Sequence, residues 1–578
     1  MSSSTRNTDR RHDLDALRAS AMILGIVYHA ALSLALGFPW MVQDPSANKS
    51  IYVFQSWVHG FRMPLFFIIS GFFTAMLWKK RGAGALVWHR FRRILLPCIV
   101  GAITLVPVCN LVMFKAVLDG NTRRAEMVRS EPAEKSIWTA IRKFRSDVVK
   151  THLDNGYAWT ELHPDYQTTA LSWAAINGDL DSVRLLLERG CNPSIANPDG
   201  NTPLHASMFF GHFPVAEYLL DHGADTQKKN KNGESPIDSL RTDSAFAPAV
   251  AGFLLLDFKI ADIKHGRELI EQKLSEPKLG VADSPQASSP EANGLQAQSP
   301  QVSDTLESLG TWIATYPAFS YLWFLWFLWW YAVCFGVLQW VIGSLRSFWT
   351  AAPIPWRSMK LHSPLAIPFW IAITIIPIYR MDALGFLFGP DTSLGFLPAW
   401  HVFAYYAIFF LFGVIYYLAD DDQARLGESW RMLLPLTLLV IFPVALEINV
   451  GTFGLRDSWI SRDWIRPLSV LSQSLFAWCM SLSCIGLFRS CFAEPKPWIR
   501  YVSDSSYWLY VAHLPLVVAI QSQMAESSYN GYLKLLVISA LSIAILLLSY
   551  QLLVRCTWIG LFLNGTREKW FKEPNKPS

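Results

Sequence analysis

The sequence predicts an all-α polytopic membrane protein: a bundle of about ten transmembrane helices, interrupted by a soluble α-helical domain. Three observations predict it. Of 578 residues, 52% are hydrophobic and 16% charged, against roughly 25% charged in soluble domains. Ten apolar stretches approach the about 20 residues that cross a bilayer as a helix. A 33-residue repeat lies between the third and fourth of them, at 168–200 and 201–233. The mean hydropathy is only +0.24, because that insertion is polar and dilutes the rest.

The ten stretches are 14–37, 51–78, 94–115, 318–343, 361–379, 398–418, 432–448, 467–488, 504–523 and 532–553. Basic residues in short connections set orientation. With the N-terminus inside, the inner segments hold 22 Lys and Arg and the short outer loops 5. Both termini are therefore expected in the cytoplasm and the segment 116–317 outside it, in a multi-pass protein of the cell inner (plasma) membrane. The N-terminus is polar through Asp15 and shows no signal-peptide pattern. The net charge of +5 is too small to point to nucleic acid. The eight Cys follow no zinc or disulfide spacing, and no metal is expected.

This divides the chain into 1–115 and 318–553, the two parts of one membrane domain, with an inserted soluble domain at 116–274, a linker at 275–317 and a cytoplasmic tail at 554–578. In the insertion, Leu171, Leu204 and Ile237 share a register, and so do Gly178 with Gly211 and Gly190 with Gly223. With Thr202–Ala206 reading TPLHA, residues 168–240 resemble ankyrin repeats, which implies a surface for a protein partner. Residues 275–305 are rich in Pro, Ser, Gln and Ala and read as a disordered tether.

Ionisable groups within apolar spans are costly, so each is a functional candidate. Arg18 and His29 lie 11 residues apart on the first span, hence on one helix face and about 16 Å apart along the axis. Asp15, one turn before Arg18, is placed to pair with it. Gly25, one turn before His29, leaves space beside the imidazole. The second span contains HGFRMPLFFIISGFF at 59–73, with a kink expected at Pro64 and Arg62 in need of an anion or carboxylate. Arg90, Arg92 and Arg93 form a dense cluster before the third span, suited to a phosphorylated donor such as coenzyme A. The ninth span carries Ser506, Tyr510 and His513, which could share a cavity with His29. The aromatic run at 320–331 reads as packing or lipid-facing surface, and His401 as interfacial.

Together these strings resemble the acyltransferase-3 family of integral-membrane acyltransferases, in particular its glucan-modifying branch. The resemblance rests on Arg18 and His29, on FRMPLFFIISGFF at 61–73, on Arg90 and Arg93, on LWFL at 322–325 and on SYWLYVAHLP at 506–515. Tyr321 departs from the family, which often has His there. The resemblance implies a ten-span enzyme that moves an acyl group (succinyl or acetyl) from cytoplasmic acyl-CoA, its co-substrate, to a hydroxyl of an extracytoplasmic carbohydrate or glucan. No bound cofactor is implied. His29 is then the general base; Arg18, on the same face about 16 Å away, is a catalytic candidate that also helps Arg90, Arg92 and Arg93 hold acyl-CoA, and Arg62 binds acyl-CoA too. The residues alone also allow a transporter or flippase of a polar glycan or lipid, or a receptor whose ankyrin segment binds a partner while the membrane part anchors it.

Overall fold

A computed structural model describes residues 11–36, 38, 40–163, 166–231, 233–241, 250, 254, 260–275, 319–348, 366–381, 388–419, 421 and 425–564. The expected linker, from residue 276 on, and the tail from 565 lie outside them. The chain forms two compact units, Met1–Val117 with Ala297–Ser578, and Leu118–Gln296.

The first unit is built of long apolar helices. Among the described residues seven helical segments, rather than ten, are long and apolar enough to cross a bilayer. One of them, Lys49–Ala116, covers two expected spans. Gly82 interrupts it, with φ 78° and ψ 173°, a conformation that needs a residue without Cβ. Pro64 does not break the segment: the non-helical residue within Lys49–Arg90 is Gly82, and Pro64 keeps helical dihedrals. Within the expected span at 361–379, the described residues form a 13-residue helix, Ala366–Ile378. The stretch 504–523 lies within Pro497–Met524, a 28-residue helix whose charges and serines lower its apolarity.

Close packing holds the bundle together. Helix Lys49–Arg90 meets helix Trp400–Leu418 backbone to backbone at Gly71 and Gly413. A Cβ at Gly71 would stand 2.0 Å from the Phe410 carbonyl oxygen, and one at Gly413 1.9 Å from that of Ile68. Small residues at such crossings let apolar helices associate without help from the hydrophobic effect. Around this contact Phe67, Phe327, Tyr331 and Tyr406 interlock, so the aromatic run of the fourth span is largely interior. Lys534 is fully buried and bonds both carboxylate oxygens of Asp44 at 2.9 Å. That pair ties the loop after the first helix to Gly531–Ser549.

The second unit consists of short helix pairs: Ile137–Arg142 with Ser146–Asp154, Ala170–Asn177 with Leu180–Glu188, and Pro203–Phe210 with Phe213–Asp221. The first helix of each pair starts 33 residues after the previous one, and Pro236–Arg241 continues the series. The pair at 137–154 escaped the sequence reading because its residues do not share the repeat's Gly and Leu register. Thr169, Asp179 and Thr202 cap their helices by accepting bonds from Ser172, Ser182 and His205 backbone N–H groups.

Candidate active site

The membrane unit contains two large cavities, both lined by Tyr510. One, about 580 Å³, surrounds Arg18. The other, about 870 Å³, lies at His29. A small void of about 30 Å³ shares Met22, Phe66 and Phe324 with the first, His29, Arg62, Met63 and His513 with the second, and Tyr510 with both. Four helices make the junction: His12–Ala31 supplies Gly25 and His29, Lys49–Arg90 supplies Arg62, Trp323–Phe348 supplies Phe324, and Pro497–Met524 supplies Tyr510 and His513.

The Arg18 cavity is strongly cationic. Arg18, Arg90, Arg93, Arg500, Arg555 and His89 line it, against Asp504 as its acidic member. Arg18 donates to the Ser503 hydroxyl at 2.5 Å and lies 3.4 Å from Asp15, the expected partner. Arg90 donates to Thr74 at 3.0 Å while its Nε is buried without a partner. Arg93 belongs to a π-helical turn, Phe91–Leu95, whose wider spacing interrupts the ordinary helical register. Arg92 is exposed and is not in the cavity lining, because the same turn points it away. Ser506 lines this cavity but gives its hydroxyl to the Val502 carbonyl.

At the other end, the His29 and His513 rings lie 4.9 Å apart, centroid to centroid. His513 Nδ1 is 2.6 Å from the Tyr510 carbonyl. A carbonyl only accepts, so Nδ1 carries the proton there and the neutral ring keeps its lone pair on Nε2. His29 Nδ1 is buried without a partner. Gln521 donates to the carbonyls of His29 and Ala30 at 2.8 and 3.2 Å and accepts from Trp40 Nε1 at 3.0 Å. It satisfies the open carbonyls at the helix end and so fixes where His29 stands. Tyr28 stacks on His59 and lies 3.2 Å from its Nδ1 through the phenol oxygen.

The structure therefore separates residues that the sequence grouped. Arg18 shares a helix face with His29 but lines a different cavity, with Arg90 and Arg93, in keeping with the three turns of rise between them. Arg62 stands with His29 rather than with the Arg90 cluster. Gly25 makes room for Arg62 and not for the imidazole: a Cβ there would lie 2.6 Å from an Arg62 nitrogen. His401 lines the His29 cavity. Tyr321 lines it too, and its hydroxyl donates to the Val511 carbonyl at 2.9 Å. The sequence reading missed Tyr28, His59, Gln521 and the cavity-lining segment at 390–395. The spacing of His59 and Arg62, three residues on one helix face, was the available signal for His59.

Comparison with known proteins bears on this arrangement. A family profile described as "Acyltransferase domain" matches residues 11–123 and 284–554, and one described as "Ankyrin repeats (3 copies)" matches 137–230. Glucans biosynthesis protein C of Escherichia coli (strain K12) is 32% identical over 105 residues, 18% of this chain and 26% of that protein. Palmitoyltransferase ZDHHC13 of Homo sapiens is 33% identical over 118 residues, 20% of this chain and 19% of that protein. The chain thus spans about a quarter or less of the length of these curated relatives. The crystal structure of the ankyrin repeat domain of Bcl-3 aligns with 18% of this chain and 45% of its own, at 25% identity and a TM-score of 0.17. With more than half of its length matched, on both sides of the ankyrin insertion, the chain belongs to the acyltransferase family that this domain defines.

Proposed function

We propose that the protein is an integral-membrane O-acyltransferase that moves an acyl group, succinyl or acetyl, from cytoplasmic acyl-CoA to a hydroxyl of an extracytoplasmic carbohydrate, with a glucan as the acceptor class. The observation that carries this reading is the pair of cavities, one rich in arginine and one aromatic and histidine-bearing, which share Tyr510 and flank a small void lined by His29, Arg62 and His513. Family membership and the stretch shared with a glucans biosynthesis protein support it. Arg18, Arg90 and Arg93 hold the phosphates of the donor by charge-assisted bonds. The pantetheine arm follows Met22, Phe66 and Phe324 toward the void and presents the thioester there. The acceptor enters the larger cavity, where Trp40, Tyr321 and Trp323 offer flat apolar faces. His29 takes the proton of the attacking hydroxyl.

In this reading the arginine end faces the cytoplasm, the insertion lies on the far side of the plasma membrane, and its repeats bind a protein partner. Purified protein in lipid, given a panel of acyl-CoAs, is expected to release free thiol and to release more when a glucan is added. Absence of thiol release from every donor would favour a transporter or flippase. In intact cells, Asn201→Cys in a Cys191→Ser background is expected to react with a membrane-impermeant thiol reagent. Reaction only after lysis reverses the orientation.

A further inference from the structure

Arg62 makes no ion pair among the described residues. The residue is 9% exposed, and its Nε is buried without a hydrogen-bond partner. The ring of Tyr28, 4.6 Å from the guanidinium carbon, is its recorded cation contact. A cation–π contact offsets only part of the cost of leaving an ion buried and unpaired. The guanidinium lines both the central void and the His29 cavity. Gly25 keeps that position open, since any Cβ there would meet the guanidinium at 2.6 Å. A preorganised, unneutralised cation at the point where two substrates meet is suited to negative charge that develops during the reaction.

We propose that Arg62 is the oxyanion-binding residue of the transfer, an inference that rests on the acyl-transfer reading above. The acceptor hydroxyl gives its proton to the imidazole of His29, and its oxygen bonds to the thioester carbon. The carbonyl π pair moves to oxygen, and Arg62 donates N–H bonds to that oxyanion. As the C=O bond re-forms, the C–S bond breaks and the sulfur takes the proton back from the imidazole. One ester and one free coenzyme thiol result, with no oxidant or further reactant. Arg62 thereby differs in task from Arg90 and Arg93, which meet charge already present on the donor.

The test compares wild type with Arg62→Gln in the full-length protein in lipid, by thiol release against donor concentration, using acetyl-CoA and succinyl-CoA. Arg62→Gln is expected to lower kcat about 10²–10³-fold with both donors while donor KM stays within about twofold. Gly25→Ala, which keeps the charge but displaces its tip, is expected to lower kcat in the same way, and it carries the test if Arg62→Gln does not fold. A raised KM with kcat preserved overturns the proposal and returns Arg62 to donor anchoring. A loss confined to succinyl-CoA overturns it in favour of a pocket for the far carboxylate, as does unchanged turnover in both variants in favour of a packing role. If wild type itself releases no thiol, the acyl-transfer reading fails and this inference falls with it.

Discussion

In the ankyrin unit the buried His205 has both ring nitrogens occupied: Nδ1 accepts from the Thr202 backbone at 3.1 Å, and Nε2 lies 3.2 Å from the Glu234 carbonyl. In the membrane unit His29 has a buried Nδ1 with no partner and a ring facing a cavity. The first arrangement locks a capping box between neighbouring repeats and leaves nothing for a ligand to bind. The second leaves polar capacity unspent in a place where burial makes it costly. Buried histidines look alike in a sequence; their hydrogen-bond inventories separate a fully bonded imidazole from one with an open nitrogen. The same contrast divides the arginines, with Arg489 bonded to Asp421 at 3.0 Å and Arg62 unpaired.

The comparison can be broken most sharply at the histidines. His29→Gln keeps hydrogen bonding but loses basicity, and should lower the rate of thiol release by about 10²–10⁴-fold with donor KM unchanged. His205→Gln should leave that rate alone and instead lower the thermal stability of the insertion. Near wild-type release by His29→Gln would make both histidines structural. Cutting out the insertion sharpens the same point. Replacing 131–296 by a Gly/Ser linker should retain thiol release, and loss of release from a well-folded deletion would join the insertion to the active unit.

The next largest effect lies at a polar group whose pairing is complete. Lys534→Ala leaves Asp44 buried and unpaired, and should cost about 3–5 kcal/mol, measured by thermal unfolding in lipid or detergent. Lys534→Met combined with Asp44→Leu should restore most of the loss. If the single substitution is silent, the pair does not secure the loop after the first helix.

A pH dependence distinguishes the ankyrin histidines further. Burial holds His212 at about 4, against 6.5 for the free side chain, and its Nε2 lies 3.1 Å from the Ile176 carbonyl. A folded value below the unfolded one means that stability is complete above about 6.5 and declines as pH falls toward 4. The loss is up to about 3 kcal/mol. Hydrogen exchange of residues 203–221, corrected for intrinsic rate, should accelerate over that window, and His212→Gln should flatten the response. The smallest effect is expected from Arg93→Ala, which should raise donor KM about tenfold and weaken its salt dependence, with kcat little changed.

The apolar helices, the two repeats at 168–233 and the candidacy of Arg18, His29 and Arg90, which line the two cavities, were legible in the sequence, because each follows from local rules. Hydropathy over about 20 residues, the 33-residue period and the cost of charge in lipid need no knowledge of neighbours. The repeat at 137–154 was not legible, since a helix pair can keep the period while losing the signature residues. Tertiary packing alone decided which polar groups meet. One helix face carries both Arg18 and His29, yet three turns of rise place them in separate cavities, while Arg62 from another helix arrives beside His29 because Gly25 leaves room for it. Sequence spacing fixes a residue's angle and height on its own helix. Which cavity it enters depends on how helices distant in sequence cross, and at Gly71 and Gly413 that crossing is set by backbone contact.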